Sequence, residues 1–254
     1  MSARQQFIAE VEKADPSLAQ LALLAVQILK SDSAAAQEAT KDSLQQIATL
    51  IETAKVAGCD QSLPRLVQYM RSDLGFEGNA LDYYAQDNSD LSQVLRRRSG
   101  IPITLAIVYI EIGRALGYNL KGVGFPGHFL VGSYNPDNEE LALIDPFEGK
   151  LTDRKHALAE LARAQGHEYS VKGSVTGWSK SQTDAWFLPA NAQQIGLRLL
   201  ENLKQIHVQV GRLGQALAAV ELQLLLAPSN TQLLQQQSKL SQQIFGGGNS
   251  PAVH

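Results

Sequence analysis

His128 follows Pro126-Gly127 and opens an apolar run, Phe129 to Tyr134, while Asp145 closes a second run, Leu141 to Ile144. Between the two runs Asn135-Pro136-Asp137-Asn138 is a strong turn signal. Antiparallel pairing of the runs would bring the histidine and the aspartate side by side. An imidazole beside a carboxylate suits general-base chemistry: the carboxylate fixes the tautomer and the free ring nitrogen accepts a proton. The same pair also has a plain structural reading, a hydrogen-bonded histidine at a strand edge. The chemical reading requires the two side chains within about 2.6–3.2 Å of each other.

A nucleophile is harder to find. Papain-like acyl transfer places a cysteine at the N-terminus of a buried helix, where the helix dipole and a neighbouring imidazole lower the thiol pKa. The buried helix here is Ile103 to Leu116, nearly uniform in apolar character, with Pro102 suited to an early helix position and Gly117 to the cap. The single cysteine, Cys59, stands in Gly58-Cys59-Asp60, a helix end well before this segment, and reads as a small buried apolar residue. Ser99 and Thr104 lie near the helix start, but two positions along a helix is a turn of about 200°. Metal ligation is not expected. His156 and His167 are separated by a helix without metal-ligand spacing, and His207 lies on a C-terminal helix. Gly122-Val123-Gly124 lacks the following helix that a phosphate loop needs, so no cofactor is expected either.

The surrounding elements divide the chain into parts. Residues 1–62 read as an N-terminal helical region: Phe7, Ile8 and Val11, then Leu18, Leu21, Leu24, Ala25 and Ile28, then Leu44, Ile47, Leu50 and Ile51 recur at helical spacing. Residues 63–185 read as the core. It has a helix over Leu63–Leu74, loop chemistry from Gly75 to Asn79 and Gln86 to Ser89, and the buried helix. Three strands follow (Leu120–Val123, Phe129–Tyr134, Leu141–Ile144), then a short helix Leu158–Ala164 and a loop over Gly173–Gln182. Residues 186–245 read as a helical hairpin around Gly211-Arg212-Leu213-Gly214 plus a third helix, Thr231–Ile244, and residues 246–254 as a disordered tail.

A net charge of −3 over 254 residues gives no electrostatic case for nucleic acid, and Arg96-Arg97-Arg98 points three ways from a helix end. The apolar runs fall short of the ~20 residues that span a bilayer, and the first residues carry no signal-peptide pattern. A lone cysteine fits a reducing compartment. The expectation is a cytoplasmic protein with neither nucleic-acid nor membrane partners.

The segments Gly75-Phe76-Glu77-Gly78-Asn79, Asn88-Ser89 and Leu95 to Leu105 carry a resemblance, together with Phe125-Pro126-Gly127-His128-Phe129-Leu130 and Ile144-Asp145-Pro146-Phe147. From Phe7 to Pro228 the sequence resembles the bacterial SirB-type family, which joins a degenerate transglutaminase-like core to a C-terminal tetratricopeptide-like segment. The resemblance implies an α+β, papain/transglutaminase-like core with a small antiparallel sheet in a cytoplasmic bacterial protein. Aligning Ala106 and Gly117 with the superfamily's pattern puts Pro102 where the cysteine would stand; His128 and Asp145 match the histidine and aspartate. Proline has no nucleophile, so no thioester can form there. In the hairpin Leu203, Gly211, Ala216 and Pro228 match a tetratricopeptide unit, with His207 in place of the usual aromatic.

The expected function is therefore a transglutaminase-like protein without its nucleophile that binds a peptide or protein. A remnant His128–Asp145 dyad would sit beside a pocket of Asn79, Pro102, Thr104 and Tyr109. Two rivals stand: a hydrolase or amide-group transferase in which the dyad activates water, and a structural component of a complex.

Overall fold

Alternation along the strands decides the architecture. In the computed structural model, which describes residues 1–167 and 177–245, five antiparallel strands form one sheet in the order β6-β5-β4-β3-β7. They are β3 Leu120–Val123, β4 Leu130–Tyr134, β5 Glu140–Asp145, β6 Lys150–Thr152 and β7 Pro189–Ala190. Leu120, Val131 and Ile144 point to one face and join the main core; Val123, Leu130 and Leu143 point to the other. Helix α6, Pro102–Ala115, covers the first face, where Gly113 lets the Leu120 side chain approach its backbone. Helix α7, Arg154–Ala164, covers the second through Ala157, Leu158 and Leu161. The sheet is thus sandwiched between two helices.

The remaining helices are α1 Ala3–Val11, α2 Leu18–Leu29, α3 Ala34–Val56, α4 Leu63–Gln68 and α5 Leu91–Arg97 before α6, then α8 Lys180–Ala185, α9 Ala192–Gln209, α10 Leu213–Leu226 and α11 Thr231–Phe245 after α7. Of these α2, α3, α5 and α9 pack on α6. Helix α2 has ten of its twelve residues buried, so it cannot be a surface helix of an N-terminal annex. It packs against α1, α3, α9 and α10, and one continuous core runs from Ala3 through Leu226. The division at residues 62 and 185 therefore marks changes of texture within a shared core. The hairpin α9–α10 leans on α2 and on α11, which supplies Leu233 and Leu240 to a small cluster of its own.

Several short elements depart from the sequence expectation. The helix expected through Leu74 ends at Gln68 and widens into a π-helical turn over Tyr69–Asp73, with the Leu74 N–H donating to the Tyr69 carbonyl at 2.9 Å. Two-residue strands β1 Glu77–Gly78 and β2 Ser99–Gly100 pair in parallel, and β6 and β7 have only three and two residues. Runs this short show no readable alternation. Of the loop expected over Gly173–Gln182, the first four residues lie outside the described residues, and Lys180 starts α8. The tail 246–254 also lies outside them. No helix among the described residues is long and apolar enough to cross a membrane.

Candidate functional site

Asp145 ends β5 and builds the turn that follows it. Its Oδ1 accepts hydrogen bonds from the amides of Phe147 and Glu148, both at 3.0 Å, and its carbonyl accepts from Gly149, whose φ of +64° closes the turn into β6. Oδ2 is left for His128, whose Nε2 stands 3.0 Å away. His128 sits at the end of a tight turn in which its amide donates to the Phe125 carbonyl at 3.1 Å, with Gly127 at φ +70°. Strand, turn and hairpin thus bring together the two residues that the sequence places seventeen positions apart.

With Nε2–H donating to Asp145, the lone pair of Nδ1 is free to accept a proton. The carboxylate is 4% exposed and the imidazole side chain 25% exposed, so the acid is shielded and the base can be reached. Burial alone would raise the Asp145 pKa. The hydrogen bond and charge of His128, with the amides of Glu148 and Phe147, outweigh it and hold the carboxyl below its ordinary value.

Two residues that sequence reasoning missed complete this end of the site. Arg198, on α9, donates from Nη2 to the His128 carbonyl at 2.6 Å and lays its guanidinium over the Phe129 ring. Phe147 meets the His128 ring edge-on, with centroids 6.3 Å apart, and is in turn met by Tyr83 at 6.0 Å. Its ring lies so close to Gly78 that a Cβ there would fall 2.4 Å from it. Phe147 appears in the sequence within Asp145-Pro146-Phe147. Arg198 carries no local signal, being 70 residues from its partner.

The dyad borders an open cleft of about 380 Å³ between the sheet and α7. Phe125, Leu130 and Leu161 give it apolar walls, and Glu148, Lys150 and Glu160 add charge. The residues expected to form the pocket do not line this cleft. The reason is the sheet: Asp145 shares the face of Leu143, which α7 covers, whereas α6 lies on the opposite face. Pro102 is the first residue of α6 and is buried. Thr104 is fully enclosed, and its hydroxyl donates to the carbonyls of Asn88 at 2.8 Å and Ile101 at 3.1 Å. Tyr109 is fully enclosed as well. Burial drives its hydroxyl far above the ordinary pKa, with Arg71 opposing and Asp145 adding to the shift. Asn79 ties loops together, donating to the Asn88 side chain and accepting from the Asp82 amide, both at 3.0 Å.

The other candidates fall elsewhere. Cys59 is buried, and desolvation raises its thiol pKa, the opposite of an activated nucleophile. His156 pairs with Glu160 on the surface of α7, and His167 packs against Trp178. No group of three or more potential metal ligands occurs among the described residues. In the arginine run Arg97 pairs with Asp87 and Arg98 turns left-handed to cover Phe76, which leaves Arg96 at the helix end.

A model of the transglutaminase-like superfamily matches residues 36–201. The chain is similar to a UPF0162 protein of Xylella fastidiosa, 35% identical over 168 residues, or 66% of this chain and 56% of that one. It is also similar to a UPF0162 protein of Vibrio cholerae, 35% identical over 92 residues (36% and 34%), and to F-box only protein 21 of Homo sapiens, 31% identical over 183 residues (71% and 28%). The chain spans about half of the Xylella protein and less of the others. No solved structure matches it.

Proposed function

The chain belongs to the transglutaminase-like superfamily, and we propose that within it this protein has lost covalent chemistry and uses its dyad-lined cleft to bind a peptide segment of a partner. One observation carries the reading: His128 and Asp145 keep a 3.0 Å pair, while the helix position matched to the nucleophile holds Pro102. Acyl transfer through a thioester needs a thiolate, and proline offers no heteroatom. Cys59 and Thr104 are buried, and the Thr104 hydroxyl is committed to backbone carbonyls, so neither replaces it. What remains is a recognition surface, with the Nδ1 acceptor, apolar walls for an anchoring side chain, and charged residues for the flanks.

The test is a peptide-display selection on the full chain, followed by fluorescence anisotropy on the enriched sequences. Binding that falls about tenfold or more in His128→Ala, with no ammonia release or amine incorporation from glutamine peptides, is the expected result. Enriched peptides that bind His128→Ala unchanged would overturn it.

A second reading is supported by the same free Nδ1 beside an open cleft: His128 as general base on a bound water, worth about 10²–10⁴-fold. It is favoured if any ester or amide is turned over by the wild type and not by His128→Ala. The SirB-type assignment, a reducing cytoplasmic setting and a tetratricopeptide-like role for α9–α10 belong to the same proposal. The packing of α9 on α10 and of α10 on α11 supports the last. Helix α9 contributes to the central core, so a role for these helices in a complex is best probed by surface changes on α11 and not by truncation.

A further inference from the structure

Ser89 closes the short turn Gln86–Asn88, its amide donating to the Gln86 carbonyl at 3.1 Å. The residue is only 2% exposed, yet its hydroxyl has no hydrogen-bond partner among the described residues. That hydroxyl is not one of the sealed, unpartnered polar atoms of the interior, and the residue lines an open cavity of about 260 Å³. A hydroxyl placed so deep without a protein partner is satisfied from the cavity.

The walls of the cavity are polar and uncharged. It lies between this turn, the tyrosine pair before it and helix α9, and none of its lining residues carries a charge. The rings of Tyr83 and Tyr84 meet edge to face, with centroids 5.3 Å apart and planes at 77°, so they form a corner and not a parallel slot. Helix α9 supplies Asn202, Gln205 and Gln209, spaced for one helix face. Gln205 spends one N–H on Glu201 at 2.8 Å, whereas the side-chain amides of Asn202 and Gln209 make no hydrogen bond among the described residues. The cavity shares no residue with the dyad cleft.

We propose that this cavity binds one uncharged sugar ring, as a pyranoside. A charged ligand would give up its hydration to walls that offer no counter-charge. The volume lies below the roughly 300–1,000 Å³ that encloses a drug-sized ligand, so it suits a single ring. A flat base stacks best between parallel aromatic faces, which the tyrosine corner does not provide. A pyranose has an apolar C–H face for the exposed Tyr84 ring and hydroxyls all round its edge. Each hydroxyl donates and accepts, and so do the serine and the primary amides that face it. The site is independent of the dyad and stands whatever that cleft binds.

The experiment titrates the ¹⁵N-labelled full chain with the methyl pyranosides of glucose, galactose, mannose and N-acetylglucosamine. Methyl glucuronide, adenosine and glycerol are titrated separately. Saturable shifts of the Asn202 and Gln209 side-chain amide signals are expected with at least one neutral pyranoside, and only linear shifts with glycerol. The glucuronide should bind about tenfold more weakly than that pyranoside. Ser89→Ala should weaken binding about fivefold with the urea midpoint unchanged, because the hydroxyl satisfies nothing in the free protein. Tyr84→Ala, at an exposed position, should weaken it about fivefold as well. Linear shifts with every neutral pyranoside, or unchanged affinity in either folded variant, would overturn the site. Adenosine or glucuronide binding as tightly as the best pyranoside would overturn the sugar assignment.

Discussion

At the sheet end of the site, Asp145 satisfies two backbone amides and one imidazole, and the histidine it holds keeps a free nitrogen toward solvent. At the helix end, Pro102, Thr104 and Tyr109 are closed in, and the Thr104 hydroxyl is committed to backbone carbonyls. The contrast teaches that the apparatus orienting a base is not a single unit with the group that the base would activate. Asp145 serves the turn it builds as much as the histidine. His128 has no comparable structural duty for its side chain beyond that one bond. A buried acid tied into a turn therefore says little about chemistry, and a reachable imidazole says more.

Substitutions at the two ends test this difference directly. Asp145→Ala should cost most, about 3 kcal/mol in urea unfolding, because it strands the Phe147 and Glu148 amides and the imidazole together; a loss under about 1 kcal/mol would deny Asp145 its structural role. Thr104→Val should cost about 1.5 kcal/mol by leaving the Asn88 carbonyl short of its hydroxyl donor, with peptide binding unchanged. His128→Ala should cost only about 1 kcal/mol, since its ring is partly exposed and Asp145 keeps both amides, yet it should weaken cleft binding about tenfold or more. A loss as large as that of Asp145→Ala would mark the histidine as scaffold.

Acid sharpens the same comparison. The Asp145 carboxyl is held below its ordinary pKa of about 3.9, so its contribution is fully present above that value and lost as pH falls through the lowered one. Urea midpoints of Asp145→Asn should therefore fall less steeply than wild type below about pH 4. The smallest effect belongs to the exposed Leu234 on α11. Leu234→Glu should stay within about 0.5 kcal/mol of wild type, and any partner of the C-terminal helices should be lost.

Part of this was legible in the sequence. The unbroken apolar run after Pro102 announced a helix covered on all sides, and α6 is buried along nearly its whole length. The turn Asn135–Asn138 between two apolar runs was enough to pair the strand that follows His128 with the strand that ends in Asp145. The face on which the cleft opens was not legible: alternation puts Asp145 on Leu143's side of β5, but tertiary packing decides that α7 covers that side and α6 the other. That choice of face separates the dyad's cleft from Thr104 and Tyr109. Phe147 and Arg198 escaped for a different reason: their roles come from contacts with Gly78 and the His128 carbonyl, distant along the chain. The three-part division missed the meaning of Leu18–Leu29, whose residues are apolar nearly all round and so demand neighbours from both ends of the chain.

The hydrogen bond from Arg198 to the His128 carbonyl ties the loop bearing the base to the hairpin α9–α10. The guanidinium is rooted in α9, which packs on α10, which in turn carries α11. A partner that gripped the outer helices and shifted α9 would then change the affinity of the cleft for a ligand, and that ligand would return the same factor to the helices.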